Sequence, residues 1–196
     1  MASPSPTMTI VTRVALPAFL DPQAMLDMLQ TYEPLIKASP YLKNYERRSV
    51  EVEELVDDTF FSEDGRKIQA FVVYDRVPII PGVGNWATKG VKIPCVFQSF
   101  HNGVRCRADS EAGVTVRSSY EVRRRGEVSG GPAPMVHSGD GEYELVETAD
   151  ICCGSFVKAF VRQSFTTAHQ KTLQRVVDET ARAWGQPGVQ KFQQFR

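Results

Sequence analysis

The chain has 196 residues, 42% of them hydrophobic and 10% aromatic, and its 23 lysines and arginines balance 23 aspartates and glutamates. That neutrality argues against a nucleic-acid partner, whose phosphates demand a basic excess, and so apolar a chain is not disordered. The length suits one globular domain.

Residues 1–8 read as a flexible tail, 9–184 as a single domain and 185–196 as a loosely held second tail. The first residues, MASPSPTMT, carry no positive charge and no apolar core of the signal-peptide kind. No apolar run approaches the ~18 residues of a membrane span. The expectation is a soluble, cytoplasmic chain without stable membrane insertion.

In chain order, residues 9–16 (TIVTRVAL) are rich in β-branched side chains and predict a strand. Asp21-Pro22 is a helix start, an N-cap followed by a proline whose missing N–H costs nothing there. Met25, Met28, Leu29 and Tyr32 then fall at i, i+3, i+4 and i+7 as one apolar stripe. Pro34 is expected to end or kink this helix, with one more short turn before Pro40. From Arg47 the period becomes two. Val50, Val52 and Val56 alternate with Glu51, Glu53 and Leu55, and Ala70, Val72 and Tyr74 with Phe71, Val73 and Asp75, which predicts two strands. Ser62-Glu63-Asp64-Gly65 has the chemistry of a hairpin turn between them.

Beyond a Pro- and Gly-rich stretch at 78–90, strands are predicted at 92–100, 104–109 and 113–124, the first two joined by His101-Asn102-Gly103. Residues 127–141 read as loop and 143–151 as a last strand. Ser155 can cap a helix whose apolar residues recur at steps of three and four to about Trp184, a length of roughly 45 Å. Such a pattern is an antiparallel meander with one wet face, and the long helix is its natural cover.

The candidate chemistry is sparse. Cys95, Cys106, Cys152 and Cys153 match no zinc or redox spacing and read as reduced core thiols. The three histidines show no paired-ligand spacing, so no metal site is predicted. No GxSxG elbow is present. His169 lies one turn after Phe165 and four residues before Leu173, on or beside the buried stripe. There it is either a satisfied core histidine or a general base or hydrogen-bond donor. His101 and His137 read as solvated. Ser118 and Tyr120 share a face with Val114 and Val116, Tyr74 with Val72, and Ser99 with Phe97 and Cys95. Each buried hydroxyl needs a partner, either backbone or a bound molecule. Trp86 sits in the Pro/Gly-rich loop, as a rim residue or ordinary loop packing. Arg105, Arg107 and Arg117 form a ladder opposite Cys106 and Val116; with the faces reversed they would line the interior and favour an anionic ligand.

The order strand, helix, short helix, antiparallel strands, long C-terminal helix resembles the helix-grip fold of the START and Bet v 1 (SRPBCC) superfamily. That α+β fold wraps a curved antiparallel sheet around its last helix. Tyr74-Asp75-Arg76-Val77 followed by Pro81-Gly82, and Phe156-Val157-Lys158 leading to Ala168-His169, resemble a fungal branch related to the polyketide cyclases. The resemblance implies an apolar cavity, which superfamily members use to bind hydrophobic small molecules for cyclisation or for carriage. The expected function is a cofactor-independent cyclase or pericyclase, for example of Diels–Alder type, acting on a polyketide or terpenoid in fungal secondary metabolism. Non-catalytic binding or transfer of a lipid or hydrophobic metabolite is the alternative, and a plain interaction domain with a filled core is a third. Tyr74, Trp86, Phe97, Ser118 and Phe165 are the expected pocket residues, with His169 and Tyr120 as hydrogen-bond donors to a carbonyl. A homodimer is left open.

Overall fold

The computed structural model describes residues 8–56, 58–61, 66–78, 88–127 and 142–185. Among them, alternating side chains build the strands β1 (Met8–Ala15), β2 (Leu42–Arg48), β3 (Ile68–Pro78), β4 (Thr88–Phe100), β5 (Gly103–Ser110), β6 (Val114–Arg124) and β7 (Tyr143–Cys152). They form one antiparallel sheet in the order β1-β7-β6-β5-β4-β3-β2. β2 to β7 are a meander, and β1 adds to the far edge against β7. The chain must therefore cross the sheet between β1 and β2. Two short helices, α1 (Pro22–Leu29) and α2 (Glu33–Lys37), make that crossing.

Asp21 starts α1 as its pattern predicts, its carboxylate accepting the Gln23 N–H at 2.9 Å with Pro22 in the first turn. The stripe Met25, Leu29 and Tyr32 is fully buried. The break comes earlier than Pro34, at Tyr32, whose φ of 70° is unusual for a bulky residue. Its hydroxyl holds it there, donating to the Lys67 carbonyl at 2.5 Å and lying 2.7 Å from Ser99 Oγ. Pro34 instead opens α2, where it has no N–H to lose.

The long helix α3 (Lys158–Trp184) has 27 residues, about 40 Å at 1.5 Å each, and covers the concave face of the sheet. This is the helix-grip fold. Its start differs from expectation: Ser155 caps nothing, and a single 3₁₀ turn, Ser155–Val157, precedes the helix. The two halves of α3 pack differently. Leu173, Val176, Val177 and Ala181 join Val14, Phe71, Val104, Val122, Leu145 and the apolar faces of α1 and α2 in one core. Further toward the N-terminus, Val161 and Phe165 lie against a smaller cluster of Ile10, Ala149 and Ile151. Between the two clusters lies a cavity.

The strand expected through Val50–Val56 does not form. Val52–Glu54 is a 3₁₀ turn, and Val52 and Val56 are exposed. Glu54 explains the turn, since it accepts the Glu51 N–H and pairs with Arg48 at 2.6 and 2.5 Å. The segment lies on the convex face of the sheet. There Arg107 pairs with Asp58, with Asp109 at 2.9 Å and with the Glu54 carbonyl at 2.8 Å, while Arg105 covers the Phe100 ring at 5.0 Å. Arg117 reaches Asp58 at 3.7 Å. The arginine ladder thus occupies the face away from α3, and the condition for an anionic ligand is not met. Of the described helices, none is long and apolar enough to cross a membrane. The expected turn at 62–65, Trp86, His137 and, of the expected tails 1–8 and 185–196, all but Met8 and Gly185 fall outside the described residues; Met8 opens β1.

Candidate ligand cavity

Period-two geometry aims alternate side chains of the sheet at α3. Val73 and Asp75 of β3, Cys95 and Phe97 of β4, Cys106 and Ala108 of β5, and Val116, Ser118 and Tyr120 of β6 form one wall. Phe160, Val161, Phe165, Ala168 and His169 of α3 form the other, with Leu35 and Ile36 of α2 at the end. The cavity volume is about 320 Å³, at the lower end of the roughly 300–1,000 Å³ of small-molecule sites.

One polar cluster stands in this apolar wall. Glu147 of β7 is fully buried, paired in register with Tyr120 of β6, as Ala149 is with Ser118. Ser118 Oγ donates to Glu147 Oε1 at 2.7 Å. His169 Nδ1 lies 2.7 and 2.8 Å from the two carboxylate oxygens. A carboxylate only accepts, so Nδ1 carries the proton, and in the neutral ring Nε2 is left as the free acceptor. Phe165 holds the imidazole by stacking, with ring centroids 3.5 Å apart. Burial, reinforced by the Glu147 charge, pushes the Tyr120 phenol well above its ordinary range, so at neutral pH it is an O–H donor. The arrangement offers a fixed imidazole acceptor beside a phenol donor in an apolar enclosure.

A second carboxyl enters from β3. Asp75 lines the cavity, and burial pushes its pKa up to about 6, with nearby His169 acting in the opposite direction. Cys95 and Cys106 are free thiols on the sheet wall. The Cys106 thiol is held protonated by its hydrogen bond with Cys95 and by burial. Among the described residues no group of three or more His, Cys, Asp or Glu side chains gathers as a metal site.

Of the residues singled out in the sequence, Phe97, Ser118, Tyr120, Phe165 and His169 all border the cavity. Tyr74 does not. It points to the convex face, where its hydroxyl donates to Glu46 at 2.6 Å. Its neighbour Asp75 takes the inward place, because both faces of β3 are apolar and pattern alone does not choose between them. Glu147 is absent from the residues that the sequence pattern picks out, although a signal exists: it interrupts the apolar alternate series Tyr143, Leu145, Ala149, Ile151. Ser99, also singled out, is satisfied by Tyr32 beneath the core.

Fold and cavity together define a helix-grip domain with a cavity between sheet and long helix. Residues 5–182 match the family model described as Domain of unknown function (DUF7053), and the chain belongs to that family. No curated protein matches the sequence. Solved structures share the fold. The Zhui aromatase/cyclase from Streptomyces sp. R1128 superposes with a TM-score of 0.60 at 10% identity, covering 92% of this chain and 98% of that one. TTHA0849 from Thermus thermophilus gives 0.58 at 10% identity, over 90% and 99%. The di-domain aromatase/cyclase BexL from the BE-7585A biosynthetic pathway gives 0.56 at 9% identity over 87% of this chain, which spans 49% of BexL. At such identities the likeness defines the fold alone.

Proposed function

We propose that this protein is a cofactor-independent cyclase that closes a ring in a hydrophobic, carbonyl-bearing chain of the polyketide kind. The observation that carries this reading is the Ser118–Glu147–His169 hydrogen-bond relay opening onto an apolar cavity beside Tyr120. His169 Nε2 removes a proton from a carbon flanked by carbonyls, and Glu147 stabilises the imidazolium that forms. Tyr120 donates to the carbonyl oxygen on which enolate charge develops. The enolate carbon then attacks a second carbonyl of the same chain, forming one C–C bond, and the imidazolium returns its proton to the new alkoxide. No electrons leave the system and no co-reactant is needed. The walls fold the chain so that the reacting carbons meet.

A relay that tethers an imidazole to a buried carboxylate favours this proton-transfer cyclisation over a pericyclic one, which requires no base. Two proteins of the same fold are named aromatase/cyclases, which supports the reading, and a place in fungal secondary metabolism belongs to the same proposal. The test is turnover of a synthetic poly-β-ketone thioester by wild type and by His169→Gln. Loss of about 100-fold or more in the variant is expected. Binding without turnover in the wild type would make the protein a carrier.

A further inference from the structure

Proton transfer by His169 and Tyr120 leaves the cavity carboxyl of Asp75 without a task. Asp75 lies at the β3 position paired with Val91 of β4, whereas Tyr120 is level with Ser99 through Val104. The two therefore stand toward opposite ends of the sheet wall. Ser39, from the link between α2 and β2, hydrogen-bonds the Asp75 carboxyl, and Tyr41 and His169 are the titratable groups near it. Asp75 Oδ1 is buried and has no hydrogen-bond partner among the described residues. A buried acceptor without a donor is unfavourable by itself, and the groups around it on this wall, Val73, Val77, Val91 and Ile93, are apolar.

We infer that Asp75 Oδ1 is the second anchor of the cavity and accepts a hydrogen bond from an enol or phenol hydroxyl of the bound molecule. The inference rests on the cavity being a ligand site, as the proposed function requires, and adds the class of ligand: an apolar molecule with a hydroxyl at the end remote from Tyr120. A hydroxyl is selected over an ammonium by the apolar surroundings. It places its one hydrogen on the free Oδ1 and brings no charge, whereas an ammonium must give up the hydration of a full charge among Val73, Val77, Val91 and Ile93. The anchor would hold one end of the substrate while the other meets Tyr120, with His169 near enough to both to act between them.

The experiment is a calorimetric titration of the purified full chain with 2-naphthol, 2-methylnaphthalene and 2-naphthylmethylamine. Wild type is expected to bind 2-naphthol about tenfold more tightly than 2-methylnaphthalene, as a charge-assisted hydrogen bond provides, and the amine no better than the hydrocarbon. Asp75→Leu is expected to abolish the preference while keeping affinity for the hydrocarbon. Asp75→Asn, which preserves the shape, is expected to lose most of it. A hydroxyl preference absent from wild type, or unchanged in both variants, overturns the inference and leaves the cyclase reading standing. Preference for the amine overturns the hydroxyl assignment. Failure of all three probes to bind wild type contradicts the ligand cavity itself, and with it the proposed function.

Discussion

Glu147 of β7 and His169 of α3 are joined so that both carboxylate oxygens lie within 2.8 Å of a single ring nitrogen. The bond ties the last strand to the covering helix beside the cavity, so it serves stability as well as chemistry. Removing the imidazole leaves a fully buried carboxylate with the Ser118 and Tyr120 hydroxyls as its remaining donors. His169→Ala is expected to lower unfolding free energy by about 2 kcal/mol, less than for a fully enclosed pair because the imidazole is partly exposed. Glu147→Leu with His169→Leu is expected to lie within about 1 kcal/mol of wild type, since no charge is then stranded. Urea unfolding of Glu147→Leu, His169→Leu and the double checks the coupling; additive effects would show that the two side chains do not interact.

Asp75 makes stability depend on pH in the direction opposite to an ordinary salt-bridged aspartate. Burial raises its folded-state pKa from 3.8 to about 6, so the folded chain binds the proton more tightly than the unfolded one. The stabilisation from that proton is full below pH 3.8 and is lost as pH rises through about 6. Asp75→Asn is therefore expected to gain about 1–2 kcal/mol above that window, discounted from the full shift for partial exposure, and nothing below it. Denaturant midpoints measured across the pH range test the sign. A variant less stable than wild type at neutral pH would contradict it.

Gly103 sets the position of Tyr120. A Cβ there would stand 1.9 Å from the Tyr120 carbonyl oxygen and 2.9 Å from the Phe100 ring, and backbone cannot yield as a side chain does. Gly103→Ala is expected to destabilise by about 3 kcal/mol. Gly90→Ala, with nothing within 4 Å of the added atom, is expected to change stability by less than about 0.5 kcal/mol. Thermal unfolding of the two variants is the comparison.

These sites differ in how far the sequence reveals them. β6 is legible to the residue, because Val114, Val116, Ser118, Tyr120 and Val122 contrast with Thr115, Arg117, Ser119, Glu121 and Arg123 on the other face. β3 is legible as a strand but not by face. Val72 and Val73 are equally buried on opposite sides, so pattern alone puts Tyr74 inward where Asp75 belongs. β2, LKNYERR, shows no apolar alternation at all; backbone pairing with β3 at the sheet edge holds it. Conversely, the valines at 50, 52 and 56 alternate without a strand to pair with. His169 is visible from its helical spacing, whereas its partner depends on β7 and α3 meeting, a long-range contact that local pattern does not encode.

The convex face should be separable from function. Arg107 and Asp58 are both largely enclosed, with side chains 11% and 8% exposed, and they pin the 3₁₀ segment to β5. Arg107→Leu is expected to destabilise by about 2 kcal/mol, because Asp58 is left with the Phe60 N–H and the longer ion pair with Arg117. Its affinity for an apolar probe should match wild type. Altered probe affinity would mean that this face communicates with the cavity.

The central claim is that the Glu147–His169 pair moves a proton during ring closure. Its most direct measurement is the pre-steady-state rate of cyclisation of a poly-β-ketone thioester bound to the full chain, compared among wild type, His169→Gln and Glu147→Gln. The expected result is acceleration over buffer by wild type, a loss of about 100-fold or more in His169→Gln and a smaller loss in Glu147→Gln, with substrate still bound in each. Ring closure no faster on the protein than in buffer, or equally fast in wild type and His169→Gln, would contradict it.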